Sequence, residues 1–292
     1  MDPDDDLGLF GPGSVSWRVH ASPIMLVAGL RSLYLQALHP RAIAGVAQNS
    51  SYRADPMGRL GRTSEYVVTV LYGTTAQAEA AARRVRRRHA AMRATDPLTG
   101  EEFRLDDPEL LRWVHVAEVE SFLTTALRAG LPLTPAEADG YYAEQRRAAA
   151  LIGLDPATVP GTVAEVADYY AEIRPELRIT PDAASTFAFL SAPPIPTPGT
   201  SLLGGLPLRL LVNLGPPRLL YTGIAGLAVS LLPPWARRLY GLPGLPTTDL
   251  TAALSTRALN LALTQLPRRL YTSPHHKAAL ARAARLGIPT PA

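Results

Sequence analysis

Apolar residues recur along the chain at steps of three and four rather than two, the period of a helix buried on one face. In the segment TTAQAEAAARRVRRRHAAMR, a helix from about Thr75 to Arg93 would place Ala78, Ala82, Val85, His89 and Met92 on one stripe. In DDPELLRWVHVAEVESFLTTALRAG, Leu111, His115, Glu118 and Phe122 fall on one line. Strand-like alternation is almost absent. Helix starts are marked by Ser22-Pro23, Asp107-Pro108, Thr180-Pro181 and Ser273-Pro274, each a capping residue before a proline at the first helical position. Thr134 with Glu137 and Thr162 with Glu165 are capping-box patterns, and Gly287 is a helix stop. These signals predict roughly ten helices and an all-α fold: a helical bundle with additional C-terminal helices.

Prolines and glycines concentrate after about residue 190, where APPIPTPGTSLLGGLP and GLPGLPTTD read as extended connectors. The division that follows is a loose leader over 1–15, a helical core over 16–192, and connectors with C-terminal helices over 193–292 packed on that core as one domain. The longest uncharged apolar run, Leu219 to Leu232, covers 14 residues and stops at Pro233-Pro234. A membrane-spanning helix needs about 20 residues, so the run reads as a buried or interface helix, with peripheral contact to a membrane surface left open.

Composition narrows the chemistry. Of 292 residues, 47% are hydrophobic and 18% charged, which argues for a folded core and against extensive disorder. The net charge of +4 calls for no polyanionic partner. There is no cysteine, which excludes disulfides, thiolate zinc sites, iron–sulfur clusters, cysteine nucleophiles and thiolate-ligated haem. The start, MDPDDDLGLFGPGS, has neither a basic nor an apolar signal region, so the expected location is the cytoplasm. There is no phosphate-binding glycine loop, no G-x-S-x-G and no H-E-x-x-H. The RRVRRR run lacks interleaved aromatics, so it reads as a solvated helix face rather than a nucleic-acid surface.

Three segments carry candidate chemistry. His89, on the apolar stripe of a helix whose other face is strongly cationic, is either a core histidine or an axial ligand to a metal or haem. In RLGRTSEYVVTVLYG, Arg59, Arg62, Thr63 and Tyr66 stand at i, i+3, i+4 and i+7, on one helical face. Two guanidiniums and a hydroxyl there suit the carboxylates of a bound cofactor or substrate, or else a solvated first turn or an ion pair with protein acids. His115 and Glu118, spaced i and i+3, resemble half of a di-metal bundle site in reversed order and without a second copy. With His39 they define a non-haem metal alternative. His20, near the start, and His275 and His276, in the first turn of the last helix, suggest no site by their positions.

Taken in order, LQALHP, then R-x-D-P-x-x-R-L-x-R-T from Arg53 to Thr63, then a helix with a central histidine, then LLRWVHVAE, the chain resembles the rubber oxygenase (latex clearing protein) and MpaB-type oxygenase catalytic-domain family. The resemblance runs from about Ser16 to Leu190. It implies a globin-like all-α core holding haem b, with His89 as the proximal iron ligand and Arg59, Arg62 and Thr63, in the R-x-x-[KR]-T pattern, around the haem. Rubber-cleaving members carry an acidic base upstream of the arginine; here PRAIAGVAQNS has no acid, which argues against rubber as substrate. These members are also often exported.

The expectation is therefore a haem b oxidoreductase acting with O2 or peroxide on an apolar or small organic substrate. His89 holds the iron, and Arg59, Arg62, Thr63 and Tyr66 contact the cofactor. Arg59, Thr63 and His39 are the catalytic candidates, with Tyr34 as an alternative on the distal side. A non-catalytic haem-binding or haem-sensing protein of the same fold is the competing expectation.

Overall fold

The computed structural model describes residues 5–193 and 216–290. The connector read at APPIPTPGTSLLGGLP lies almost wholly outside the described residues. The fold is all-α. Thirteen helices occur among the described residues: α1 (Val15–His20), α2 (Met25–Gln36), α3 (Pro40–Asn49), α4 (Pro56–Tyr72), α5 (Thr75–Ala91), α6 (Pro108–Arg128), α7 (Pro135–Leu151), α8 (Val163–Ile173), α9 (Pro181–Ser191), α10 (Pro216–Ser230), α11 (Pro234–Leu239), α12 (Thr248–Thr264) and α13 (Pro274–Arg285). An antiparallel two-stranded sheet, β1 (Arg93–Thr95) and β2 (Glu102–Arg104), joins α5 to α6, with Ala94 opposite Phe103.

The centre of the molecule is α6 packed along α2. Trp113, Val116, Ala117, Leu123 and Ala126 of α6 meet Leu30, Tyr34 and Leu35 of α2, all of them buried. One ion pair lies within this core. Arg31 of α2 is 1% exposed; its guanidinium grips Glu120 of α6 at 2.5 and 2.9 Å and donates to the Leu231 carbonyl at 2.9 Å. Tyr170 of α8 donates to the same carboxylate at 3.2 Å. A charge removed from water is tolerable only when paired and hydrogen-bonded like this, so the pair fixes how α2, α6, α8 and the segment after α10 fit together.

Most caps stand where local sequence puts them. Asp107, Thr180 and Ser273 accept from the first-turn amides of α6, α9 and α13, and Thr134 with Glu137 closes both arms of a capping box on α7. Thr162 caps α8 alone, because the Glu165 carboxylate takes Gly161 N and Arg146 instead. The start expected at Ser22-Pro23 moves to Met25, since the Ser22 hydroxyl pairs with Asn260 of α12. The leader, read as loose, is tied down from Asp6 onward: its carboxylate accepts from Thr75 N at 2.6 Å at the start of α5, and Phe10 packs with Trp17, Leu71 and Tyr72. The Leu219–Leu232 run forms α10 and its exit, with Leu232 buried and Leu219 and Leu220 exposed. No helix among the described residues is long and apolar enough to cross a membrane.

Candidate functional site

Helices α4 and α5 form an antiparallel hairpin around Gly73 and Thr74. Near this turn the hairpin is well packed: Val70, Leu71 and Tyr72 of α4 and Ala78, Ala81 and Ala82 of α5 are buried. Farther away the apolar stripe loosens, and Val85, His89 and Met92 are only half-buried. The first turns of α4 lie opposite that open end. There Asp55 caps α4 through Gly58 N, and a side chain at Gly58 would collide with the capping carboxylate. The hairpin thus opens where the sequence places its arginines, and a cleft of about 760 Å³ runs between the helices, within the usual size of ligand pockets. Its walls include Arg62, Tyr66, Arg84, Val85, Arg88 and Met92. His89 stands on the adjoining edge of α5, a turn from Val85 and Met92.

Arg59 is half-buried, donates to the Ser50 hydroxyl at 2.6 Å and has no carboxylate partner. Its pKa is lowered by burial first, then by the guanidiniums of Arg62 and Arg88. His89 is held below its ordinary pKa by burial first and then by the Arg59 charge, so its imidazole is neutral near pH 7. Neither of its ring nitrogens hydrogen-bonds to a described residue. Arg62 is exposed and paired with Asp55 at 3.1 Å, and Thr63 is exposed with its hydroxyl on the Arg59 carbonyl at 3.1 Å. Tyr66 is half-buried, and burial raises its phenol pKa, so it is a neutral donor. The structure thus brings Arg59 close to His89 beside the cleft, while Arg62 and Tyr66 line it and Thr63 is exposed outside its lining.

His39 is elsewhere. It caps α3 through Nδ1 at 3.4 Å from Ala42 N, lies beside Trp113, and burial lowers its pKa to about 4. Tyr34 is fully buried against Phe187, with its hydroxyl 3.1 Å from Ser191. His39, His115 and Glu118 do not converge, and among the described residues no three His, Asp or Glu side chains form a metal-binding group. His275 and His276 dock α13: the first bonds Glu65 at 2.8 Å, and the second stacks on Tyr72 at 4.1 Å.

One residue beside the His115–Glu118 face was not legible from the sequence. His20 ends α1 deep in the protein, its Nε2 3.1 Å from the Tyr141 hydroxyl and its ring 4.5 Å from Phe122, and burial lowers its pKa to about 3. It faces the α6 line that carries His115 and Glu118. His115 is 7% exposed with its Nε2 unpartnered, and burial lowers its pKa to about 4. Glu118 is raised to about 7 by burial alone.

The model of the family described as ER-bound oxygenase mpaB/B'/rubber oxygenase, catalytic domain, matches residues 17–264. The chain belongs to that family. No curated protein and no solved structure matches the chain. The match covers α4, α5 and α6 together with most of the C-terminal helices, so the cleft and the α6 line both lie inside the oxygenase domain. The residues at the open end of the hairpin fit the cofactor that the resemblance implied: a neutral nitrogen donor without a partner, beside a guanidinium that lacks a carboxylate.

Proposed function

We propose that this oxygenase domain is a haem b-dependent oxidoreductase in which His89 holds the iron and a small organic molecule is oxidised with O2 or peroxide. The observation that carries the reading is the His89–Arg59 pair. The half-buried imidazole has no hydrogen-bond partner among the described residues, so its nitrogens are free for a ligand. The half-buried Arg59 guanidinium, bonded to Ser50, has no carboxylate partner among the described residues and keeps N–H donors for an acid.

When bound, haem b supplies an iron centre that activates dioxygen or peroxide. The chain's own residues prepare the place for it. Burial first, and then the Arg59 charge, hold His89 below its ordinary pKa, so the ring presents a free lone pair. Arg59 itself receives a carboxylate, from a propionate or an acidic substrate group, through its remaining N–H donors. The Ser50 hydroxyl holds the guanidinium in position, and the Thr63 hydroxyl, on the Arg59 carbonyl, closes the helical turn that carries it. Arg62, shared with Asp55, and Arg88 add positive field at the rim, and Tyr66 offers a neutral O–H to the cleft. Val85 and Met92 supply the apolar wall.

Reconstitution of the purified protein with haem b tests this directly, by haem content per chain and by oxygen or peroxide consumption with an added reductant. One haem per chain with turnover is expected. A folded protein that takes up no haem contradicts the reading.

A further inference from the structure

His115 and Glu118 are two titratable groups one turn apart on α6, and neither hydrogen-bonds through its side chain to a described residue. The His115 ring is more than nine-tenths buried and its Nε2 meets no donor or acceptor. Nothing but burial acts on the Glu118 carboxyl: no hydrogen bond and no cation reaches it closely enough to count. Buried polar groups are nearly always satisfied, and the orphaned His115 nitrogen is a standing cost unless something else completes it. Glu118 is half-buried, so its side chain keeps some accessible surface.

The surroundings define what can complete them. Tyr66 of α4 and Tyr141 of α7 lie within electrostatic reach of Glu118, and both phenols are neutral. Leu111 and Phe122 continue the same α6 face, with His20 against Phe122, itself held neutral by burial. No guanidinium acts on either His115 or Glu118, in contrast to the arginine-lined end of the hairpin. A carboxylate or phosphate entering here would have no cation to meet. A neutral oxygen function would find an imidazole and a carboxyl that each donate or accept. Tyr66 borders both regions, since it lines the cleft and faces Glu118.

We propose that His115 and Glu118 form a polar anchor without a cation, beside Tyr66, for the hydroxyl or carbonyl of an otherwise apolar substrate. This names the substrate class for the oxygenase reading and rests on it only in assuming a small-molecule substrate, not on haem. His115 and Glu118 bind and orient that oxygen function; the arginine end at Arg59 remains free for a carboxylate-bearing cofactor.

The test is binding of 1-octanol, octane and octanoate to the full-length protein by calorimetry, with and without haem reconstitution, for the wild type, His115→Leu and Glu118→Leu. The wild type is expected to bind 1-octanol about tenfold more tightly than octane, the worth of one buried hydrogen bond, and to bind octanoate no better than the alcohol. Each variant is expected to lose that preference while its octane affinity stays within about twofold. In the ligand-free state His115→Leu is expected to melt no lower than the wild type, because it removes an unsatisfied group. Equal binding of alcohol and alkane by the wild type overturns the proposal. So does an unchanged preference in either variant, or a lower melting temperature for His115→Leu, which would mark the ring as structural. A protein that shows the alcohol preference but takes up no haem refutes the His89 assignment alone, and one that takes up haem without the preference refutes this anchor alone.

Discussion

The carboxyl of Glu118 makes a stability prediction whose size and sign follow from its setting. Burial raises its pKa from 4.5 to about 7, with no cation or hydrogen bond to compensate the charge. Between those two values the folded protein holds a proton that the unfolded chain releases. This group's contribution to stability is therefore full at acid pH and is lost as pH rises toward about 7. At 1.36 kcal/mol per unit the loss is at most about 3 kcal/mol, and the residual solvent contact of Glu118 brings it to about 2–3 kcal/mol. Glu118→Gln keeps the shape and removes the titration. Urea unfolding followed by circular dichroism is expected to show the two proteins nearly equal at about pH 5 and the variant more stable by about 2–3 kcal/mol at about pH 8. The histidines lowered by burial, His20, His39 and His115, destabilise both proteins as pH falls below 6.5 and cancel in the comparison. A difference that does not change with pH, or a variant weaker at about pH 8, refutes the reasoning, because it would mean that a partner stabilises the ionised carboxylate.

Other outcomes follow from the same contacts. Glu120→Ala leaves the Arg31 guanidinium buried and uncompensated and is expected to cost about 3–5 kcal/mol in urea unfolding, whereas the double variant Arg31→Met with Glu120→Leu is expected to recover most of that loss. Gly8 has φ +82° and an added Cβ would lie 2.1 Å from the Gly73 carbonyl oxygen, so Gly8→Ala is expected to lower stability by at least about 1–2 kcal/mol and to expose the leader to limited proteolysis. Arg59→Ala removes a charge-assisted contact and is expected to weaken haem uptake about 10- to 100-fold, measured by haem titration, with a smaller effect for Arg62→Ala because that side chain is exposed and shared with Asp55.

What could be read from the sequence was local. Asp107, Thr134, Thr180 and Ser273 announce helix starts because a cap and its amide lie within three residues of each other. The α5 stripe was legible for the same reason, since Ala78 and Ala82 repeat at the helical period. The β1–β2 hairpin escaped because three-residue strands offer too few positions for alternation to show. His20 gave no signal in its own segment: its burial comes from Tyr141 and Phe122, both more than 100 residues away in sequence. His39 and His115 look alike as histidines in apolar segments, yet one is taken up in capping α3 and the other is left unpartnered. Only the packing of α6 and the fit of α3 distinguish them. Within the R-x-x-[KR]-T pattern, shared face did not mean shared burial: Arg59 and Tyr66 are half-buried, while Arg62 and Thr63 are exposed.

The proposed haem-dependent function depends on His89 holding an iron porphyrin. The most direct measurement is the absorption spectrum of the haem-reconstituted protein beside that of His89→Ala at matched concentration and fold. An intense band near ~400 nm in the wild type, lost or shifted in the variant, is the expected result for iron held by that histidine. A wild type and variant with the same porphyrin band would place the ligand elsewhere and contradict the account.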